Sequence, residues 1–445
     1  MSHSEMRVGD TSVGAGILLV TAAACGGHGM PPMARSSVRM APGGIQVQSG
    51  QALQPVIDAA ADGATLTLAP GRYPGPIVIS RPLCLQGPAD AVLYSASGST
   101  VRVEGRGVVL RGVTVAGSGQ RFDLMDGGIH LTGEGHLVEG VTVRDALFGI
   151  LVEQCRDARI LGNTVIGSGS PALGLRGDGI RLWETTDSVV AGNEVRDVRD
   201  LVVWYSSRNR LQRNRVAGSR YGTHFMYSHD CVVEDSRYVG NEVSVFVMYS
   251  HGVQIRRSLL ARAGGSAGIG IGLKESGDIV VEDNWLLADT TGFYIDRSPM
   301  NPSHSARYAR NVVRFAETAI SLHAGIERTE FVDNDFRDNG AVIKVGGQGD
   351  GLGATFAGNH YDSYRGYDLN GDGRGDVPFE FRRLSTQLEG RYPELALLHG
   401  SPAMSMVDLV GEVMPLFAPR RLLTDPSPRM RSPTMSWVPE DDDGG

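Results

Sequence analysis

The chain has 445 residues, a formal net charge of −8 and a pI of about 5.8. The net charge is negative and the basic residues form no dense Lys/Arg block. The chain therefore lacks the positively charged surface of a nucleic-acid-binding protein. Glycine accounts for 60 residues, while the hydrophobic share of 41% is that of a folded protein. The composition therefore indicates a folded chain that is rich in turns.

Residues 1–43 are predicted to precede the folded domain. An apolar stretch from about residue 13 to residue 24, preceded by Arg7 and followed by Cys25, resembles an export signal. Lipid attachment at Cys25 is one extension of this interpretation, and a disordered leader is the alternative to it. Residues 26–43 are predicted to be a flexible linker. No other segment contains 18 consecutive apolar residues, so no other segment is predicted to cross a bilayer.

Short apolar triplets recur through the middle of the chain, mostly at intervals of 21–24 residues. Self-similarity with such a period predicts a solenoid, and the alternation of apolar and polar residues favours strands. Stacking the units about 4.8 Å apart gives an all-β fold, a right-handed parallel β-helix, which we assign to residues 44–392. The triplets begin at residues 129, 150, 180, 201, 223, 245, 269, 293 and 320.

A polar residue recurs in the second short strand of each unit. In stacked coils these side chains form a column, in which amides can bond to one another and to the turn backbone. The sequence therefore predicts a structural role for them. The column consists of Asn163, Asn193, Asn214, Ser236, Ser258, Asn284, Asn311, Asn334 and Asn359.

A second predicted column lies on the outside of the solenoid. In most triplets the first and third residues are aliphatic and should point inward, so the second and fourth should point outward. Large apolar and sulfur-containing side chains on an outer face usually mark a binding surface. The fourth positions are predicted to be Trp183, Trp204, Met226, Met248, Gly272, Asp296 and His323.

The sequence Met-Tyr-Ser-His occurs twice, at 226–229 and at 248–251. Coil stacking would place the two copies in register, with His224 beside Met226. Thioether and imidazole are ligands that suit Cu(I), whereas a pair of methionines more often packs against a protein surface. A copper site and a protein-docking face both remain open, and they can coexist. The candidate copper ligands are His224, Met226, His229, Met248 and His251, and the candidate partner-binding residues on this face are Trp183 and Trp204.

An acidic loop follows the last predicted coil. It has the Asp-x-Asn-x-Asp-Gly spacing of an EF-hand, but Phe379 occupies the twelfth place, where a bidentate Glu is expected. A calcium site and an Asx-turn loop that closes the last coil both remain open. The candidate calcium ligands are Asp368, Asn370, Asp372 and Asp376.

Residues 393–424 show apolar residues at helical spacing, with Ser401 and Pro402 as a predicted cap and start. A helix appended to a solenoid either caps the last coil or docks on a partner. The candidate partner contacts are His399, Met404, Met406 and Met414. The proline-containing acidic tail, residues 425–445, is predicted to be disordered.

Several segments resemble the NosD family, periplasmic accessory proteins for the maturation of copper-containing nitrous oxide reductase. Their order and spacing agree with that family over roughly residues 45–428, although Asn359-His360-Tyr361 departs from the family's usual Asn-Tyr-Trp type of pattern. The segments are GTHFMYSHD from Gly222, the second MYS from Met248, GLKES from Gly272, DLNGDGRGDVPF from Asp368, SPAMSMVDL from Ser401 and DPSP from Asp425.

The resemblance implies a β-helix of the carbohydrate-binding and sugar-hydrolase repeat class that acts without catalysis. Such a protein would be exported to the periplasm and held at the membrane by an ABC transporter, which comprises a permease and an ATPase. It would receive Cu(I) from a copper chaperone lipoprotein and assist assembly of the copper sites of nitrous oxide reductase. The C-terminal helix would be its contact with the permease.

The same fold also supports polysaccharide lyases, epimerases and glycan-binding modules. A lyase would need carboxylates that hold Ca²⁺ beside an outward basic residue, and the predicted column from Trp183 to Met248 contains no carboxylate. A glycan-binding module could use the two tryptophans as stacking platforms. The nearest candidates for lyase chemistry, which we interpret as a solvated polar edge, are Lys274, Glu275, Asp278, Asp296 and Arg297.

Overall fold

Successive segments of the chain stack as coils, and the strands of each coil join three long parallel sheets. The computed structural model describes residues 44–439 except 324–325, 347–349 and 399. The predicted leader and linker, Cys25, His399 and residues 440–445 lie outside these described residues. The predicted parallel β-helix with coils of about 23 residues is confirmed.

Three sheets, which we name A, B and C, contain 14, 13 and 12 strands in the described part of the chain. Sheet A consists of Ile45–Val47, Thr65–Leu68, Cys84–Gln86, Val109–Arg111, Leu137–Glu139, Arg159–Leu161, Val189–Ala191, Arg210–Gln212, Val232–Glu234, Gln254–Arg256, Ile279–Glu282, Ala306–Ala309, Thr329–Val332 and Thr355–Ala357. Sheet B consists of Gly71–Pro74, Ala91–Tyr94, Thr114–Ala116, Thr142–Arg144, Thr164–Ile166, Glu194–Arg196, Arg215–Ala217, Arg237–Val239, Leu259–Ala261, Trp285–Leu287, Val312–Arg314, Asp335–Arg337 and His360–Tyr361. Sheet C consists of Ile77–Ile79, Val101–Val103, Gly127–Glu134, Phe148–Arg156, Ile180–Trp183, Asp200–Trp204, Tyr221–Met226, Val243–Met248, Ile269–Lys274, Thr291–Asp296, Thr318–Leu322 and Ala341–Val345.

One α-helix follows the first strand of sheet A, whereas the other α-helices and a small antiparallel pair of strands follow the last coil. Phe379–Phe381 pairs antiparallel with Leu423–Asp425. The α-helices are α1 (Leu53–Ala59), α2 (Leu384–Arg391) and α3 (Pro402–Val413), and the 3-10 turns are Leu173–Leu175, Pro393–Leu398 and Pro415–Phe417. The sequence predicts α3 with Ser401 as its cap. In the structure the Ser401 hydroxyl accepts a hydrogen bond from the Met404 amide, as a capping residue does. It does not predict α1 or α2.

The interior of the solenoid is one continuous apolar core. Inward residues of neighbouring coils lie in register, as Phe225 does with Val247, and both are fully buried. Thr223 also points inward, and its hydroxyl lies 2.9 Å from the Tyr238 hydroxyl. Each coil therefore buries its apolar face only against its neighbours, as expected of a solenoid.

The predicted asparagine column is confirmed as a buried hydrogen-bonded ladder. The Asn284 side-chain amide donates to the Asn311 side-chain carbonyl at 3.0 Å, and Asn334 donates to Asn359 at 2.9 Å. Asp425 ends the ladder by accepting from the backbone and side-chain amides of Asn359 at 2.9 and 3.0 Å. Buried amides are thus paired along the stack, which avoids the cost of unsatisfied polar groups.

The tail from Asp425 corrects one prediction, since residues 425–439 are not disordered but lie against the solenoid. Arg429 pairs with Asp333 at 2.7 Å, and the Ser432 hydroxyl donates to Asp335 at 2.7 Å. Further along, the Trp437 carbonyl accepts from the Trp285 indole at 3.0 Å. The sequence predicts disorder in the tail because it is poor in apolar residues. The contacts that hold it are polar, and they leave no apolar pattern in the sequence.

No helix within the described residues has the length and hydropathy needed to span a bilayer.

Candidate functional site

The candidate site lies on the outer face of sheet C, where the coils containing the two Met-Tyr-Ser-His copies meet. Trp183 pairs in register with Trp204, Trp204 with Met226, and Met226 with Met248. The four large side chains therefore form the predicted outward column, with neighbouring strands about 4.8 Å apart.

The predicted continuation of this column at Gly272 is wrong. Met248 pairs with Lys274, whereas Gly272 pairs with Phe246. The strand reads IGIGLK, so apolar residues stand at 269, 271 and 273, and alternation alone cannot tell which two face the core. Ile271 and Leu273 align with the inward Val245 and Val247, which moves the register by two residues. A lysine consequently follows the two methionines.

His224 is an enclosed polar residue of this face. Its side chain points away from the solenoid core, yet the residue is only 6% exposed. Its ring stacks on Tyr221 at a centroid distance of 4.5 Å and meets the Trp204 ring edge-on at 5.4 Å. Its Nε2 atom lies 3.2 Å from the Met248 sulfur. Imidazole and thioether thus lie in direct contact within an aromatic enclosure.

The protonation of His224 follows from this enclosure. Burial lowers the pKa of His224 to about 4, and the neighbouring Asp200 only partly opposes the effect. The ring is therefore neutral near pH 7, with a nitrogen lone pair available to a metal. Its Nδ1 atom is buried and has no hydrogen-bond partner in the described part of the chain. An unsatisfied buried nitrogen is a feature that a bound ion would relieve.

Apolar side chains surround Met248. Val243, Phe246 and Ile269 form a small buried cluster outside the main core, against which Tyr221, Met248 and Tyr294 pack. Phe246 lies over Gly272, where an added Cβ would come within 2.4 Å of the ring. The glycine therefore leaves room for the phenylalanine, and the cluster covers one side of the partly exposed Met248.

The remaining residues of each Met-Tyr-Ser-His copy form separate ladders in the turn after the strand. Tyr227 and Tyr249 both have φ of 50°, and their rings stack at 4.9 Å. The Ser228 amide donates to the Ser250 hydroxyl at 2.9 Å. His229 and His251 stack at 3.9 Å. Every position of the motif is thus repeated because each one continues its own ladder.

The five predicted copper ligands consequently form two groups. His224, Met226 and Met248 lie together on the sheet, whereas His229 and His251 pair with each other in the turn. The sequence places all five on neighbouring coils, with His229 and His251 in the turns that follow the strands, but it does not show that the turn histidines form a separate group. His224, Met226 and Met248 together form the candidate site.

Charged residues beside the tryptophans were missed by the sequence analysis. The Arg181 guanidinium lies 4.6 Å from the Trp183 ring centre and 5.2 Å from that of Trp204. It is held by Asp178 at 3.2 Å, and burial raises the pKa of Asp178. Because a guanidinium already lies over both indole rings, they are less open as sugar-stacking platforms than the sequence suggests.

The predicted partner contacts on α3 divide into exposed and buried residues. Met406 is 68% exposed and Met414 is 46% exposed, whereas Met404 is buried at 6%. Met404 therefore corrects the prediction, because its side chain packs inward below the helix. Exposed apolar neighbours extend the outer face of α3, and they are Leu409, Val413, Leu416 and Phe417.

The acidic loop uses its carboxylates internally. Asp368 accepts from the backbone amides of Gly371 and Gly373 at 2.6 and 2.8 Å, and Asp376 accepts from that of Leu369 at 2.6 Å. These bonds are those of the Asx-turn alternative. Within the described residues, no group of three or more His, Cys, Asp or Glu side chains is arranged to hold a metal ion.

The described cysteines are free, and two of the three are buried. Cys155 and Cys231 are buried, and burial raises the pKa of each thiol to about 12. Both stay protonated near neutral pH, so neither supplies the thiolate that metal binding requires. Thioethers are therefore the sulfur ligands that this face of the chain offers.

Comparison with known proteins gives a family and two relatives. Residues 168–366 match the family described as "Periplasmic copper-binding protein (NosD)". A "Probable ABC transporter binding protein NosD" of Pseudomonas aeruginosa is 28% identical over 396 residues, which cover 82% of this chain and 88% of the relative. A protein of the same name from Stutzerimonas stutzeri is 25% identical over 389 residues, covering 83% of this chain and 87% of the relative.

Solved structures similar to this chain include β-helix enzymes. The alginate lyase AlyF-OU02 aligns with a TM-score of 0.49 at 12% identity, over 71% of this chain and 84% of that chain. The mannuronan C-5 epimerase AlgE4 A-module of Azotobacter vinelandii aligns with a TM-score of 0.43 at 16% identity, over 68% of this chain and 94% of that chain.

Proposed function

Since residues 168–366 of this chain match the NosD family, we propose that the protein is a periplasmic accessory factor that binds Cu(I) as cargo at His224, Met226 and Met248. The observation that carries this proposal is the 3.2 Å contact between the buried His224 Nε2 and the Met248 sulfur. The family description, which names a periplasmic copper-binding protein, supports it.

The residues present suit Cu(I) better than harder ions. A neutral imidazole and two thioethers are soft donors without charge, whereas Mg²⁺ or Ca²⁺ would require oxygen ligands. Tyr221 and Trp204 fix the His224 ring from two sides, so the nitrogen donor is oriented before the ion arrives. The Phe246 cluster packs against Met248 and makes one side of the site apolar, which favours an ion of low charge.

Copper transfer is the role that we assign to the site within a larger assembly. The protein would receive Cu(I) from a copper chaperone lipoprotein and pass it on during assembly of the copper sites of nitrous oxide reductase. Met226 and Met248 lie on the outside of sheet C and are partly exposed, so a partner can reach the thioethers in a way that it could not reach a core residue. The chain acts in this proposal as a non-catalytic carrier.

Docking on an ABC transporter is assigned to residues 393–424. The relatives are named ABC transporter binding proteins, and α3 presents an exposed apolar face that includes Met406 and Met414. Exposed apolar surface of this kind commonly marks a protein interface. The permease would thereby hold the protein at the membrane.

The test is an anaerobic Cu(I) titration of the full mature chain against a chromogenic Cu(I) chelator. Replacing Met226 and Met248 together by Leu should weaken Cu(I) binding by at least about tenfold, since a tenfold change corresponds to the loss of only about 1.4 kcal/mol. Met300→Leu is the matched control, because Met300 is 60% exposed and lies outside the column that contains Met226 and Met248. Equal Cu(I) affinity in the double variant and the wild type would contradict the proposal.

A further inference from the structure

The strand register places a lysine immediately after the two methionines. Lys274 occupies the same outward position as Met248, one coil further along sheet C. Neighbouring strands are about 4.8 Å apart, and the lysine side chain is long, so we expect the ammonium group about 8 Å from an ion held at Met248. Lys274 is also one of only two lysines in a chain with 42 basic residues, the other being Lys344.

The charge of Lys274 differs from the other cationic charges on this face. Arg199 is paired with Asp178 at 2.8 Å, Arg220 is paired with Asp200, and Lys344 contacts Glu389 at 3.4 Å. For Lys274 no ion pair is formed within the part of the chain that the structure describes. Asp296 pairs with it in register, but on the side away from Met248 and therefore further from the site.

An ammonium group beside neutral ligands discriminates between ions by their charge. His224 is neutral, and thioethers carry no charge, so the ligands do not offset the charge of a bound ion. The repulsion from Lys274 is twice as large for a divalent ion as for a monovalent one, because the Coulomb energy is proportional to the product of the charges. A protonated ammonium group provides this repulsion without itself binding the ion, because it has no lone pair to offer a metal.

We propose that Lys274 is the residue that makes this site select a monovalent ion over divalent ions. The inference rests on the proposed function of the same site. It adds a specificity determinant that the ligands themselves do not provide, since imidazole also binds Cu(II) and Zn(II).

The expected size of the effect follows from the charge rule. For an ammonium about 8 Å from the ion and an effective dielectric constant of about 40, removing the charge strengthens monovalent binding roughly fivefold. The same change strengthens divalent binding by the square of that factor, roughly twenty-fivefold. The selectivity for the monovalent ion therefore falls roughly fivefold.

The experiment measures dissociation constants of the full chain for Cu(I), under anaerobic conditions, and for Zn(II), each by competition with a chelator of known affinity. The variants are Lys274→Gln, Lys274→Arg and, as a matched control, Lys344→Gln. Lys274→Gln should lower the Zn(II) constant by about the square of the factor seen for Cu(I), while Lys274→Arg and Lys344→Gln should leave the ratio of the two constants unchanged.

Two outcomes separate this inference from the proposed function. If the wild type binds Cu(I) but Lys274→Gln leaves the ratio of the constants unchanged, the role of Lys274 is refuted and the copper site stands. If the wild type does not bind Cu(I), both are refuted. Circular dichroism of each variant shows whether the β-helix is intact.

Discussion

Asp289 should be a protonated carboxylic acid in the folded protein, and replacing it by Asn should stabilise the fold. It is 2% exposed, and burial raises the pKa of this carboxyl well above its ordinary value of 3.8. Its Oδ1 accepts from the Ala263 amide at 2.7 Å, while its Oδ2 is buried without a partner among the described residues. A carboxylate in this position would bear an uncompensated charge.

The reason lies in a second, shorter ladder in the turn after sheet B. Asn241 accepts there from the Ser219 amide and donates to the Val216 carbonyl, each at 3.0 Å. Asn339 makes the same two bonds with residues of its preceding coil. Asp289 takes the equivalent place, so by register its Oδ2 should face the carbonyl of Leu260. Two oxygens can share that contact only if a proton lies between them.

The expected gain is about 1–3 kcal/mol at pH 7.5, the order of a buried polar group's desolvation penalty, because the folded carboxyl must keep a proton that the unfolded chain has lost, whereas an asparagine amide makes the same contact without one. The folded pKa is raised, so the protonated form stabilises the fold fully below the unfolded pKa of 3.8. That contribution is lost as the pH rises toward the folded pKa, at about 1.4 kcal/mol for each pH unit. The advantage of Asp289→Asn should therefore be small at pH 4 or below and grow with pH.

Urea unfolding followed by circular dichroism at pH 4 and pH 7.5 measures this difference in the free energy of unfolding. Asn241→Asp is the matched control and should show the opposite change, a loss of stability that grows with pH. If Asp289→Asn destabilises the protein equally at both pH values, the carboxyl is not a protonated ladder member and the reasoning is refuted.

Three further predictions concern the site, the docking segment and the absence of catalysis. Because the pKa of His224 is lowered to about 4, Cu(I) affinity measured by chelator competition should stay level from pH 8 to pH 5, and a decline that begins near pH 6.5 would show an ordinary exposed imidazole. Deleting residues 400–423 should abolish co-purification with the permease while far-ultraviolet circular dichroism of the β-helix stays unchanged; continued co-purification would exclude this segment as the dock. Incubation with polygalacturonate and calcium should yield no unsaturated product by absorbance, and detectable cleavage would favour the lyase alternative.

The repeat could be predicted from sequence because each coil uses the same few interactions. Inward aliphatic residues and the asparagine ladder recur at a fixed position in every coil, so their spacing reveals the solenoid. Gly272 was wrongly placed after Met248 in the column because Ile269, Ile271 and Leu273 allow two registers, and only pairing with the neighbouring strand decides between them.

The burial of His224 could not be predicted in the same way. Its enclosure depends on Tyr221 from the start of its own strand and on Trp204 and Met248 from the coils on either side. The alternation of apolar and polar residues predicts that an outward residue is exposed to solvent. Here the long side chains of neighbouring residues cover His224. The ordered tail escaped prediction for a related reason, since hydrogen bonds such as that between Asp425 and Asn359 hold it without an apolar pattern.

X-ray absorption at the copper edge of the Cu(I)-loaded full chain tests the central claim most directly. We predict a spectrum with sulfur neighbours and one imidazole in the wild type, and loss of the sulfur neighbours when Met226 and Met248 are both replaced by Leu. A wild-type spectrum with nitrogen and oxygen neighbours alone would contradict the account.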